Sequence, residues 1–259
     1  MAMTEVRTNR PPGGLRAWWT GRFGRDLAVE ITFLLVLLTL YRLGRYFGRD
    51  QVSAAFDHAR DVLRVEGFLG MANERWLQGV ALDHLTFIRL LNRYYATAHF
   101  PVTVIFLVVT YVRAPAVYRH VRAILVSVTA VALVTHIAYP LAPPRMMPGF
   151  VDTVAVYGPT IYDKPGVASV ANQYAAMPSL HVGWAAIVAY GTFLMWSGPR
   201  RWVGAVHAVI TSIAVVITAN HYWLDGVIAV GMVVVAAAIV RRLVVMDEQR
   251  YELVSGATQ

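Results

Sequence analysis

Apolar residues gather in long runs along this 259-residue chain. A helix crosses a bilayer with roughly 17 to 25 predominantly apolar residues. Six stretches meet that pattern: 27–43, 95–113, 121–141, 178–197, 203–220 and 223–242. Between the first two, Leu63, Phe68, Leu69, Trp76, Leu77, Val80, Leu82, Leu85 and Ile88 recur near helical spacing among charges. That pattern predicts one or two amphipathic helices lying on a membrane surface, either roofing a site or forming a small cap with no substrate role. The pattern as a whole predicts an all-α, polytopic membrane protein with six transmembrane helices and an amphipathic interfacial segment. Its expected organisation is an N-terminal tail (1–26), a first span with the amphipathic cap (27–94), a helical membrane domain (95–242) and a C-terminal tail (243–259).

Composition agrees: 57% of residues are hydrophobic and 15% charged, against about a quarter charged in a soluble domain. The net charge of +8 raises the question of nucleic acid. Yet Lys164 is the only lysine, and many of the arginines flank apolar runs instead of forming one patch, which points to topology and not to a nucleic-acid partner. The chain has no cysteine, which excludes disulfides and thiolate metal sites. Tyr41-Arg42-Leu43 follows the first apolar run where a signal peptide would show a small-residue cleavage site, so a retained first span is expected.

Arginine placement orients the spans. Arg7, Arg10, Arg16, Arg22 and Arg25 precede the first; Arg113, Arg119 and Arg122 lie around the connection after the second; Arg200 and Arg201 separate the fourth and fifth; Arg241 and Arg242 end the sixth. In a six-span chain these fall on one side, expected to be cytoplasmic, with both termini. The 142–177 loop and the 220–222 turn then share the opposite, extracytoplasmic face of the cell membrane. Residues 44–94 fit this less well, since they carry seven arginines and six acids on that outer side.

Two motifs open on that face. Pro178-Ser179-Leu180-His181 leads into one apolar run, and His221-Tyr222-Trp223-Leu224-Asp225 into another. Ionisable groups are costly at membrane depth, so they suggest function. His221 and Asp225 are four apart and share a helix face, where a carboxylate can fix the imidazole tautomer and leave the other nitrogen as base or nucleophile. A satisfied pair at a helix end is the plainer alternative. Pro178 suits a first helical turn, whose free N–H groups, with the Ser179 hydroxyl, can receive phosphate oxygens. His181, one turn in, can protonate a leaving oxygen. Arg145, behind Ala142-Pro143-Pro144, can clamp a phosphoryl group or simply anchor the interface. Lys164 is a further cation in the same loop, and Asn172 and Gln173 are polar candidates with weaker claims. His99, two residues before Pro101, either reaches the site or packs as a core histidine. His136 can line the same cavity, His207 reads as structural, and His58, His84 and His120 as surface or interfacial residues.

Ala142-Pro143-Pro144-Arg145, Pro178-Ser179-Leu180-His181 and His221-Tyr222-Trp223-Leu224-Asp225 together resemble the type-2 phosphatidic acid phosphatase and haloperoxidase superfamily. They look most like its inositol-phosphotransferase branch, which includes inositol phosphorylceramide synthases; the segment Asn92 to Pro101, with Tyr95 and His99, is similar too. The resemblance covers about 95–242. It implies that His221 attacks phosphorus, Asp225 orients it and His181 protonates the departing group. A phosphohistidine then passes its phosphoryl group to water or to a lipid alcohol. The implied substrate is a phospholipid or polyprenyl phosphate, and neither a metal nor an organic cofactor is implied. Two departures stand out: no lysine precedes Arg145, which Met146 follows, and Val215 stands six residues before His221 where that family usually has an arginine. Arg93, Lys164 or an arginine of the 44–94 cap can substitute, and fewer phosphate-binding charges favour transfer of a substituted phosphate. The rival readings are a zinc hydrolase built on His181, His221 and Asp225, and a transporter using intramembrane His and Asp as a proton relay.

Overall fold

A computed structural model describes residues 51–158 and 173–256, from Val244 onward by backbone alone, with Thr32 and Thr39 as isolated helical positions. The expected first span, 27–43, and Lys164 lie outside the described residues, as does Asn172. The chain forms two compact units, Met1–Tyr46 and Phe47–Gln259, and the helices named below all belong to the second. They are α1 (Val52–Phe68), α2 (Glu74–Leu82), α3 (Leu85–Thr97), α4 (His99–Arg113), α5 (Pro115–Ala138), α6 (Thr153–Tyr157), α7 (Leu180–Met195), α8 (Trp202–Ile217) and α9 (Trp223–Gly256). Among the described residues no strand forms; one parallel bridge pairs Leu141 with Ala175.

Three segments are long and apolar enough to cross a membrane: Pro115–Ala138, Gly198–Ile217 and Trp223–Leu243. A fourth arises if α3 and α4, bent by 46° at Ala98, count as one. α7 is apolar but has 16 residues, short of a full span. The described residues therefore carry three or four spans, and the six expected from the sequence are not all present among them. The 95–113 run differs in kind as well as length, because the helix breaks inside it. Pro101 explains the break: its ring collides with the carbonyl four residues back, at Thr97, and bends the helix there. The helix begun at Trp223 also runs on past 242, through the segment expected to be a separate tail.

Residues 44–94 correct the sequence reading most. Of the apolar positions that suggested their amphipathic helices, only Ile88 is fully buried, whereas Phe68, Leu69 and Trp76 are exposed. The inward stripe of α1 is instead Ala55, Ala59, Val62 and Glu66, and that of α2 is Glu74, Gln78 and Ala81. Large apolar groups here face outward, and small and hydrogen-bonded groups face in, where backbones approach closely. On the exposed side, Arg60 pairs with Asp57 and Arg64 with Asp61.

α7 and α8 run close together, and α5 and α9 pack against α7. Glycine sets the first of these approaches. A Cβ on Gly204 would lie 2.7 Å from Cα of Ala189 and 2.8 Å from the Val188 carbonyl oxygen, both backbone atoms that cannot yield cheaply. Gly231 in α9 has nothing within 4 Å of such an atom. Gly204→Ala is therefore expected to cost about 1–3 kcal/mol through overpacking, whereas Gly231→Ala is expected to be neutral or to stabilise by up to about 1 kcal/mol through helix propensity. Thermal unfolding of the two variants in detergent checks the pair, and equal effects would contradict the packing argument.

Candidate active site

The 218–222 turn builds the centre of the site. α8 ends at Ile217, and Ala219 takes a left-handed conformation (φ 55°), which costs a non-glycine residue about 1–2 kcal/mol. The turn is held because the N–H groups of Asn220 and His221 both reach the Val215 carbonyl, at 2.9 and 3.1 Å. A carbonyl of the turn is used too: Ala219 O accepts from the Arg145 N–H at 2.8 Å. The Arg145 side chain then donates to Asn220 Oδ1 at 2.6 Å, and its Nε lies 3.6 Å from Asp152 Oδ2. Arg145 is thus carried to the turn bearing His221 by backbone and side chain together.

The loop before α7 arrives from the other side. Leu141 N–H donates to Tyr174 O, and Ala176 N–H to Leu141 O, so the chain leaving α5 pairs with the chain entering α7. The Ala176 carbonyl accepts from His221 Nδ1 at 2.8 Å. Asp225 Oδ2 lies farther from the same nitrogen, at 3.4 Å, and accepts the Tyr222 N–H at 2.9 Å. The Ala176 carbonyl, which can only accept, holds the proton on Nδ1 and leaves the lone pair on Nε2. The tautomer expected from the His-x-x-x-Asp spacing is present, but a backbone carbonyl that no sequence pattern showed is its nearer partner. Burial pushes the His221 ring down to about 4; the Ala176 hydrogen bond opposes this and the Arg145 charge adds to it. The ring is neutral at physiological pH.

Helix α7 begins two residues later than the sequence suggested. Ser179 is its N-cap, buried, with Oγ accepting the Val182 N–H at 3.3 Å, and Pro178 lies outside the helix in front of the cap. Ser179 N–H donates to the Asp225 carbonyl at 3.2 Å, tying the start of α7 to α9. The N–H groups of Leu180 and His181 belong to the open first turn, where an anion is favoured. His136 Nε2 bonds the Pro178 carbonyl at 3.1 Å and so supports this loop from α5.

The two motif histidines meet: the rings of His181 and His221 are 5.5 Å apart between centroids. His181 stacks on Tyr95 at 4.6 Å and lies 4.7 Å from His99. The bend at Ala98 turns His99 inward and also brings Tyr94 to His207, with Tyr94 Oη 2.6 Å from His207 Nδ1. His207 therefore continues a polar seam below His99 (ring centroids 6.2 Å), which the sequence did not suggest. His58 also differs from expectation: it is partly buried, stacks on Tyr139 at 3.9 Å and bonds the Pro140 carbonyl at 2.8 Å. Among the described residues no three His, Asp or Glu side chains converge in a metal-ligating arrangement, so His181, His221 and Asp225 are not disposed as a zinc site.

Several site groups escaped the sequence reading. Asn220 lay inside a quoted motif without a role. Asp152, 73 residues before Asp225, carries no motif at all. The second cation sought among the cap arginines has a candidate in Arg75, whose guanidinium covers Phe150 at 5.1 Å and whose charge reaches the Tyr222 phenol. Val215, where the resembled family has an arginine, is buried among apolar neighbours. An apolar cavity of about 290 Å³ lies beside the turn, lined by Val182, Val215, Tyr222, Trp223, Gly226 and Val230 among others.

At one end of an all-helical bundle the structure thus brings together two histidines, a buried carboxylate and a tethered arginine. A family model described as the PAP2 superfamily matches residues 60–240, and the chain belongs to that superfamily. Its members include phosphatases acting on lipid phosphoesters. Neither the curated proteins nor the solved structures compared with the chain gave a match.

Asp225→Asn keeps an oxygen for the Tyr222 N–H and removes the charge facing His221. We expect the variant to fold, with a Tm near wild type, and to lose at least about a hundredfold in turnover. Undiminished turnover would mean that Asp225 serves only as a helix cap.

Proposed function

We propose that the protein cleaves a phosphoester of a membrane lipid through a phosphohistidine on His221, and passes the phosphoryl or phospho-headgroup to water or to a lipid alcohol. The observation that carries this reading is the fixed tautomer of His221, its Nδ1 held by the Ala176 carbonyl at 2.8 Å, with the His181 ring 5.5 Å away. In the first step the Nε2 lone pair attacks phosphorus, a P–N bond forms and the P–O bond to the leaving group breaks. His181, protonated for this step, gives its proton to the departing oxygen. In the second step water or an alcohol attacks phosphorus, gives its proton to His181 and releases His221. Arg145 and the first turn of α7 neutralise the phosphate oxygens, and Asp225 stabilises the ring as it gains charge. His99 lines the leaving-group side through His181, and Lys164 is a further candidate for the phosphate.

The substrate is a phospholipid or polyprenyl phosphate whose chains lie in the membrane; the apolar cavity beside Tyr222 and Trp223 supports a lipid over a soluble ester. Transfer in the manner of the inositol phosphotransferases is favoured over plain hydrolysis because phosphate-binding charges are few: a diester carries less charge than a monoester. On the arginine distribution, the site faces the extracytoplasmic side of the cell membrane with both termini inside.

The test uses purified protein in detergent with phosphatidic acid, a polyprenyl diphosphate and phosphatidylinositol, each with and without a lipid alcohol. We expect acceptor-dependent headgroup transfer or phosphate release that disappears in His221→Ala, together with an acid-labile phosphoenzyme that is likewise lost. In His181→Ala we expect the largest loss with poor leaving groups. Full activity in His221→Ala would overturn the mechanism.

A further inference from the structure

The first turn of α9 follows His221 directly and carries Asp225, and its N–H groups end on carboxyls. Tyr222 N–H goes to Asp225, as above. Trp223 N–H donates to Glu74 Oε1 at 3.4 Å, and Leu224 N–H donates to Glu66 Oε1 at 2.7 Å. Glu66 and Glu74 come from the two cap helices α1 and α2, and both are essentially fully buried (0% and 1% exposed). The Trp223 indole N–H adds a third tie to the same cap, donating to Asn73 Oδ1 at 2.8 Å. A helix N-terminus already filled by carboxyls is not a phosphate site, so these acids have another role.

The two carboxyls also meet each other: Glu66 lies within hydrogen-bonding reach of the Glu74 side chain. Its second oxygen, Oε2, is buried with no ordinary donor beside it. Two carboxyls can hydrogen-bond only when one of them holds a proton. We propose that Glu66 and Glu74 form a proton-sharing clamp that joins the cap to the first turn of α9 and thereby positions His221 and Asp225. These are positioning residues; they touch no reacting atom. The inference deepens the function proposed above and rests on it for its kinetic arm alone.

The clamp has a defined pH range. Burial, then the hydrogen bond to Glu74, holds the Glu66 carboxyl protonated up to about pH 9. The charged and titratable groups that reach the pair are Asp225 from α9 and the Tyr222 phenol. Loss of the shared proton places two carboxylates together beside Asp225, and the clamp opens. The folded state holds this proton to about 9 and the unfolded chain only to about 4.5. Its contribution to stability is therefore complete below the lower value, declines as pH rises through the window and is gone above the upper one.

The test compares wild type with Glu66→Gln and Glu66→Ala, as full chains in detergent. Glutamine keeps the oxygen for Leu224 N–H, offers an N–H to Glu74 in place of the proton, and does not titrate. Hydrogen exchange of the peptide covering Tyr222–Gly226 should stay protected in wild type at pH 7, lose protection above about pH 9, and remain protected there in Glu66→Gln. Glu66→Ala should be unprotected throughout. The fall in Tm between pH 5 and 9 should be shallower in Glu66→Gln than in wild type. With phosphatidic acid as probe, Glu66→Ala should lose about a hundredfold in kcat, the scale of a misplaced reacting group. Glu66→Gln should recover most of that loss and extend activity to higher pH. Identical exchange and identical Tm slopes in wild type and Glu66→Gln would overturn the clamp. If wild type leaves phosphatidic acid untouched, the proposed substrate fails while exchange and unfolding still decide the clamp.

Discussion

Free backbone N–H groups at the start of α9 must be satisfied where little water reaches them, and the site depends on how that is done. Three carboxyls from three helices answer the demand: Asp225 from α9 itself, Glu74 from α2 and Glu66 from α1. A buried donor left unmet costs about 1–3 kcal/mol. The turn preceding α9, which holds His221, is therefore rigid for the same reason that the cap is docked. Helices α1 and α2 are part of the site's frame, and Gln78 and Asn92 extend that frame by bonding Val151, Ile217 and Thr153.

A second constraint acts on the loops. The chain leaving α5 at Leu141 and the chain entering α7 at Ala176 pair with one another, and each then serves the turn between α8 and α9. Ala176 offers its carbonyl to His221, and Arg145 takes the Ala219 carbonyl and the Asn220 side chain. Tyr222 closes the assembly by donating its phenol proton to the Ala142 carbonyl at 3.0 Å. Polar groups from sequence positions eighty residues apart thus satisfy one another at one end of an apolar bundle, which makes that end both well ordered and chemically distinct.

Much of the site was legible because its side chains are costly where they sit. His181, His221, Asp225 and Ser179 are polar groups at the mouths of apolar runs, and the structure gathers all four. The arginine bias alone put both motifs on one face, and the geometry agrees that they share one end. Arg145 was legible through its prolines. Glu66 and Glu74 were not, since on a charged amphipathic stretch an acid that faces inward looks like one that faces water. The apolar stripe of that stretch misled as well: Phe68 and Trp76 point outward while Ala55, Ala59 and Val62 face in, so large apolar side chains do not mark the buried side there.

By itself the sequence determined the helical class, most of the span positions within the described residues, and which polar side chains gather at one end of the bundle. Those follow from local composition, because a run of apolar residues and a costly polar group each have one favourable setting near a membrane. Tertiary structure alone decided the meeting of His99 with His181, the backbone carbonyl that fixes the His221 tautomer, and the carboxyls that close the start of α9. Each of these is a pairing between distant segments. A hydrogen bond of that kind depends on where two backbones meet, and neither partner's neighbours in sequence record it.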